Sequence, residues 1–378
     1  MITRKHFIHS ATASTVAAVG VPFILQACSS DSGEGGHDAT VRNTWRPAKA
    51  PSGDKTALRR ELVRNATLAP SSHNTQCWKF RIEDNAITLL PDLARRTPAV
   101  DPDDHHLYVS LGCAAENLVQ AALANGLPGD VRFDPDSAGG GAIKVVLDPT
   151  KAVSSPLYLA IPERQCTRPE YDAKPVSTEE LHLLEQAGTG KGVRVMLLTE
   201  KTALESVLAY VVKGNTAQMN DPAFVEELKS WIRFGSDEAV KTGDGLYSGT
   251  SGNPSVPRWI GSPLFGMFFR PKGENDKYAK HLRSSAGVAI FVSDANDKTH
   301  WVEAGRCYER FALQATALGI RNAMLNQPVE VSRLRPQFAT AMGIGGGGGS
   351  SRPDLVVRFG RGPEMTKSLR RDLRAVLV

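Results

Sequence analysis

The sequence predicts an α+β protein in which two related halves, each a sheet with a central helix, pack into one body. Three observations predict it. A helical pattern occurs twice, at residues 107–126 and 300–319: each copy has a Gly followed within two residues by Cys, then a Glu, then a terminating Gly. Five short apolar runs, at 86–90, 142–147, 193–198, 288–292 and 355–359, have the length and composition of strands. The chain has 378 residues, 41% apolar and 22% charged, an ordinary soluble composition with enough length for two such halves.

Taken in order, the chain opens on a segment that reads as an export signal. Within residues 1–27, Arg4, Lys5 and His6 precede an apolar stretch at 11–25 that is too short to span a bilayer as a permanent helix. Thr3-Arg4-Lys5-His6-Phe7-Ile8 resembles a twin-arginine signal. Leu25-Gln26-Ala27-Cys28 resembles a lipobox, implying a lipid on Cys28 and a location in the periplasm or cell envelope. Residues 28–52, rich in Ser, Gly, Asp and Pro, read as a flexible tether with a reach near ~25 Å. Residues 53–150 form the first half, entered by a helix at 55–68. Residues 151–378 form the second, whose helix at 178–187 carries a capping box of Ser177 and Glu180. In both repeated helices the apolar residues fall at helical spacing, and Gly112, Ala114, Ala115, Ala304 and Gly305 allow the two to approach closely. Residues 237–276 are rich in Gly, Ser and Pro but contain Trp259, Ile260, Leu264, Phe265, Met267 and Phe268. A loop that long in a compact protein is usually functional, so this region is expected to be a lid over an active site.

Several function classes are disfavoured. Lys plus Arg number 45 against 40 Asp plus Glu, a net charge of +5, which falls to +3 without Arg4 and Lys5. With no basic run, nothing points to nucleic acid. Cys77, Cys113, Cys166 and Cys307 are far apart, form no C-x-x-C and suit free, mostly buried thiols rather than a zinc site. The five glycines at 345–349 are followed by Ser350 and no Lys, so they form a flexible loop and not a phosphate loop. No G-x-S-x-G occurs. His73, His105 and His106 lack a metal-ligand partner pattern.

Four strings carry chemistry. Ala69-Pro-Ser-Ser-His-Asn-Thr-Gln-Cys-Trp-Lys-Phe80 runs from a helix into a strand, and Ser71, Ser72 and Asn74 offer hydroxyls, an amide and turn N–H groups to one flat polar ligand. Glu163-Arg-Gln-Cys-Thr-Arg-Pro-Glu-Tyr-Asp172 supplies, at Arg164, a planar fork suited to phosphate. Met324-Leu325-Asn326-Gln327-Pro328 follows the second repeated helix, and Ser368-Leu-Arg-Arg-Asp-Leu373 places Arg370 and Arg371 near the end.

These strings resemble the flavin-binding segments of the nitroreductase superfamily. P-S-S-x-N-x-Q-P-W is matched with Cys77 in place of Pro; R-x-S-x-R is matched with Cys166 in place of Ser; Ser368–Leu373 and Trp231-x-Arg233-Phe234 resemble the Acg-like branch. The resemblance runs from about residue 55 to 375. It implies a nitroreductase-like fold whose two fused, pseudo-symmetric halves form an internal pseudo-dimer, a monomer with a lid-like insertion. It implies FMN held by Ser71, Ser72, Asn74, Gln76, Arg164, Gln165, Cys166, Arg168, Met324, Leu325, Asn326, Arg370 and Arg371. Arg164 would grip the phosphate and Arg168 would lie nearer the ring. A single complete site is expected, because residues 187–195 read Ala-Gly-Thr-Gly-Lys-Gly-Val-Arg-Val where P-S-S-x-N would recur. The implied activity is hydride transfer from NAD(P)H or a quinol to a small planar acceptor, a nitroaromatic or a quinone, with no catalytic side chain required. Two alternatives stand beside it: a protein that stores flavin without turnover, and a cofactor-free envelope scaffold on the same fold.

Overall fold

The computed structural model describes residues 32–47, 54–345 and 350–378. The leader and Cys28 lie outside the described residues, as does most of the glycine run. The tether expectation for 28–52 is corrected within its described part. Ser32–Thr44 is a helix, α1, followed by a buried Trp45. The reason is a sparse stripe: His37, Val41 and Trp45 recur at i, i+4 and i+8 and so share one face. His37 lies 4.7 Å from the Tyr247 ring, and Trp45 packs with Leu68, Ile161 and Leu313 while its Nε1 donates to the Ser368 carbonyl at 2.8 Å.

The first half consists of α2 (Lys55–Thr67), β1 (Trp78–Ile82), β2 (Ala86–Pro91), α3 (His105–Ala124), β3 (Gly129–Asp134) and β4 (Ala142–Leu147). Asp54 caps α2, its carboxylate accepting from the backbone N–H of Thr56 and Ala57. The strands form an antiparallel sheet in the order β1-β2-β4-β3. β3 and its sequence Gly-Asp-Val-Arg-Phe-Asp escaped detection because only Val131 and Phe133 are apolar.

The second half contains α4 (Pro156–Ala160), α5 (Thr178–Gly188) and β5 (Val193–Leu198). The capping box at Ser177 and Glu180 is present in both directions. An insertion follows: α6 (Lys201–Met219), α7 (Pro222–Trp231), β6 (Ile232–Arg233), α8 (Ser236–Thr242), β7 (Leu246–Tyr247), α9 (Arg258–Phe268) and α10 (Pro271–Arg283). The half closes with β8 (Gly287–Ser293), α11 (Lys298–Ala317), β9 (Arg321–Met324), α12 (Gln327–Glu330), α13 (Arg335–Ala341) and β10 (Arg352–Gly360). Its antiparallel sheet has the order β5-β8-β10-β9, so strand order and the placement of one helix between the second and third strands match the first half. Where β1 and β2 are joined by a tight turn, β5 and β8 are separated by the whole of residues 201–283. The expected lid at 237–276 is therefore part of a larger, mostly helical insertion.

α3 and α11 cross at the centre. A Cβ on Gly112 would overlap the Val302 carbonyl, and one on Gly305 would overlap the Val109 carbonyl. Each glycine thus meets the residue three before the other, a reciprocal contact that only glycine permits. β8 is buried along its length because both its faces are covered. Ala289 and Phe291 join the core with α11, while Val288, Ile290 and Val292 pack with Leu204, Val207, Leu208 and Val211 of α6. The chain end returns to the first sheet: the Phe80 N–H donates to the Val376 carbonyl at 2.7 Å and the Val378 N–H to the Phe80 carbonyl at 3.0 Å, covering the β1 edge.

Candidate functional site

The site begins with the turn between α2 and β1. His73, Asn74 and Gln76 all adopt positive φ, at 48°, 53° and 53°, a conformation that non-glycine residues keep only when their surroundings hold them there. Much of that hold is visible. The Ser71 hydroxyl accepts from the Gln76 N–H at 2.9 Å. The Asn74 amide donates to the carbonyls of Gly245 and Leu369, and its Oδ1 accepts from Arg370 at 3.1 Å. Gln76 donates to the Gly243 carbonyl and accepts from the Arg371 N–H, both at 2.8 Å.

The second wall is the segment at 164–168, pinned to β9 by a bridge between Cys166 and Asn322 and by the Thr167 N–H donating to the Asn322 carbonyl at 2.9 Å. Arg358 of β10 fixes the same segment, donating to the carbonyls of Arg168 and Pro169 with its guanidinium 4.1 Å from the centre of the Tyr171 ring. Arg358 is fully buried, and burial pushes its pKa down. A charged residue inside the otherwise apolar run at 355–359 was the signal that could have identified it.

These walls, the strand end at 324–326 and the insertion enclose a cavity of about 630 Å³, within the size range of small-molecule and cofactor sites. Ser71, Ser72, Asn74, Arg164, Gln165, Cys166, Arg168, Met324, Leu325, Asn326 and Arg370 all line it, so segments nearly 300 residues apart in sequence meet there. Two expected residues do not. Gln76 is buried behind the turn, and Arg371 donates to the carbonyls of Gln76 and Ala375. Arg370 lines the wall but its donors are committed to the carbonyls of Thr67, Leu68, Ala69 and Leu369 and to Asn74. It therefore closes the C-terminal end of α2 rather than presenting an open fork, a correction to its expected role in holding FMN. Burial pushes its pKa down to about 9.

Arg164 and Arg168 differ in what they leave open. Arg164 donates to the Leu68 carbonyl at 2.8 Å, and its Nε lies 3.3 Å from the carboxylate of Glu309 without a hydrogen bond. Glu309 is fully buried beneath it; burial pushes its pKa up to about 7, and Arg164 pulls only part of the way back. The Arg168 side chain makes one hydrogen bond, to the Thr250 hydroxyl at 3.3 Å, and Arg168 lines the cavity. His73 and Gln327 also line the cavity, and His73 Nδ1 and Gln327 Oε1 are buried without partners. Burial and the nearby Arg168 disfavour the His73 imidazolium, pushing its pKa down to about 4.

The paired histidines lie inside the protein. Asp354 occupies the bulge in β10 between Pro353 and Leu355, which aims its carboxylate at His105 Nε2, 2.8 Å away, and at the Ser293 hydroxyl. Burial raises the Asp354 pKa to about 7 and holds His105 well below its usual value, so both effects favour an uncharged pair. His106 lines the cavity. The Val356 N–H donates to Asn326 Oδ1, which turns the Asn326 amide N–H toward His106 Nε2 at 3.2 Å. Burial opposes charge on His106, but the Asp101 carboxylate 3.5 Å from Nδ1 outweighs it, so the pKa stands above its usual value. Asp101, His105 and His106 could together hold a metal ion by spacing. However, both Asp101 oxygens already accept the N–H groups of His106 and Leu107 as the cap of α3.

The wall supplied by the insertion was expected only in part. Phe269 after α9 and Glu274 of α10 fall within the expected lid at 237–276, whereas Phe224 and Leu228 of α7 and Lys277 and Tyr278 of α10 do not, and all six line the cavity. Cys77, Cys113 and Cys307 are buried, Cys166 is half-buried, and all four are free.

No family model matches the chain. It is 27% identical over 314 residues to a Mycobacterium tuberculosis protein named as an NAD(P)H nitroreductase, covering 80% of this chain and 85% of that one. A second protein of the same name and organism, acg, is 22% identical, covering 82% and 91%. Similarity along most of both chains supports a place in the nitroreductase superfamily. Among solved structures, an FMN-bound nitroreductase from Bacteroides fragilis aligns at 14% identity with a TM-score of 0.34, covering 58% of this chain and 94% of that one. One from Desulfitobacterium hafniense aligns at 15% with a TM-score of 0.36, covering 58% and 96%.

Proposed function

We propose that the chain is an FMN-dependent oxidoreductase that takes a hydride from a nicotinamide or quinol donor and passes it to a small planar acceptor, a quinone or a nitroaromatic. The observation that carries this is the convergence on one cavity of the serine turn, the Arg164–Arg168 segment and residues 324–326. The donor set fits a flat, anionic ligand with hydrogen-bonding edges: two serine hydroxyls, two guanidinium groups and few open acids. FMN, when bound, supplies the hydride chemistry at its ring, and the protein supplies orientation and charge.

Arg164, backed by Glu309, would hold the phosphate. Ser71, Ser72 and Arg168 would hold the polar edge of the ring, with Arg168 stabilising negative charge there. Met324 and Leu325 would cover its apolar part, and the insertion wall would limit water and shape the acceptor pocket.

The matching strand orders of the two sheets and the reciprocal glycines of α3 and α11 support an internal pseudo-dimer with one working site. In the first half the serine turn joins α2 to β1. The equivalent link, between α5 and β5, meets side chains instead: a Cβ on Gly190 would collide with Glu303, Cys307 and Arg310. Those groups belong to a network in which Arg310 pairs with Glu116 at 3.0 Å and with Glu303 at 3.3 Å, filling the space a second ligand would need. The leader further suggests export with the cofactor aboard.

Steady-state oxidation of NADH or NADPH, with menadione or nitrofurazone as acceptor, tests the proposal. Acceptor-dependent turnover is expected. Bound FMN without turnover by these or a quinol donor would favour flavin storage instead.

A further inference from the structure

Among the described residues, large apolar side chains are rarely well exposed, yet one helix gathers four. In α9, Trp259 is 76% exposed, Phe268 72%, Met267 61% and Leu264 40%. No charged residue occurs from Trp259 to Phe269, and Arg258 and Arg270 flank the run. Only one face of the helix is used internally: Gly261 packs on Phe234, and the Phe265 ring lies 6.4 Å from that of Phe234. Ser262, half-buried, carries the single polar side chain between Trp259 and Phe269. An apolar helix carrying Trp, Phe, Met and Leu, with a cation at each end, has the composition of a segment that lies in a membrane interface.

Position adds a second, independent observation. α9 packs on residues 232–238, with Arg258 paired to Glu238 at 2.7 Å. α8, which contains Glu238, is also the surface on which α1 rests: Val41 packs with Ala239 and Tyr247. The chain ahead of α1 carries the apolar stretch at 11–25, ending only a few residues before Ser32. The leader end of the chain and the bare face of α9 are thus attached to the same small element. Directly after α9, Phe269 lines the cavity, as do Glu274, Lys277 and Tyr278 of the next helix.

We infer that α9 docks this protein on a lipid bilayer, with Trp259, Leu264, Met267 and Phe268 inserted at the interface and the cavity mouth held against the membrane. Resting on the oxidoreductase function proposed above, this selects among its acceptors a lipid-soluble quinone that enters from the bilayer past Phe269. Arg270, exposed and in no ion pair among the described residues, matches anionic headgroups, which makes the contact stronger on anionic lipid.

The test is flotation of the full-length chain with vesicles of phosphatidylcholine containing phosphatidylglycerol, compared with the triple variant Trp259→Ser, Met267→Ser, Phe268→Ser. Both chains carry the same leader, so their difference reports α9. The substituted side chains are exposed, and an unchanged melting temperature and flavin content would certify the variant's fold. The wild type is expected to partition about tenfold or more strongly than the variant, with Trp259 emission quenched by brominated lipid. Equal partitioning of the two chains overturns the inference. So does a concentration-dependent dimer that the variant abolishes, because a second copy would then cover the helix. A colourless protein that still prefers vesicles through α9 would remove the flavin function and leave the docking intact. A flavin-bound protein with no such preference would do the reverse.

Discussion

Arg164 lies between the buried carboxylate of Glu309 and the open cavity, and its effect on each can be measured separately. Arg164→Ala is expected to weaken FMN binding by about 1.5–3 kcal/mol, the loss of one charge-assisted contact; fluorescence titration of the flavin checks it, and an unchanged Kd would move the phosphate elsewhere. Glu309 gives a pH signature. Its folded pKa is about 7 against 4.5 for the free side chain, so between those values the native state holds more protons than the unfolded one. Stability contributed by this group is therefore full at low pH and declines as pH rises toward 7. Glu309→Gln should remove that decline, so urea melts of wild type and variant should diverge as pH rises from 4.5 to 7; parallel curves would contradict the assignment. Residue by residue, Ser71, Ser72, Arg164 and Arg168 were legible as cavity-lining positions, the first three from their residue types and Arg168 from the family resemblance. The positions of Gln76, Arg370 and Arg371 were not, because a motif fixes residue types and leaves open which carbonyls will satisfy their donors. Arg370 is consumed by the end of α2, a partner about 300 residues away in sequence.

At the scale of elements, the crossing of α3 and α11 and the burial of α1 are the two features most exposed to test. Gly112→Ala places a methyl group on the Val302 carbonyl, and backbone cannot yield cheaply there. A loss of about 3 kcal/mol or more is expected in thermal or urea denaturation, and Gly305→Ala should behave alike because the contact is reciprocal. A small effect at either position would mean that the helices cross differently. Trp45→Ala should cost about 3–5 kcal/mol if α1 is packed as described, whereas a free tether would show almost none. The repeated helices and the five apolar strands were readable from periodicity. α1 was not, since its face consists of three residues among glycines and polar side chains, and β3 was not, since it has only two apolar residues. The insertion at 201–283 was read only in its glycine-rich middle: α6 and α10 are ordinary amphipathic helices whose membership in one excursion is fixed by the β5–β8 pairing, a contact that local pattern does not encode.

Considered whole, the molecule places a cavity where the first sheet's serine turn, the second half's opening segment and the returning C-terminal chain meet, and in the proposed pseudo-dimer the Glu116–Arg310–Glu303 network would occupy the equivalent place on the other side. That asymmetry predicts one flavin for each chain and no need for a second chain to complete the site. The most direct measurement is the absorbance spectrum of the purified protein, with the released cofactor identified by chromatography and the mass in solution by light scattering. One FMN per monomer is the predicted result. A colourless protein that also takes up no added FMN would contradict the account, whatever the fold.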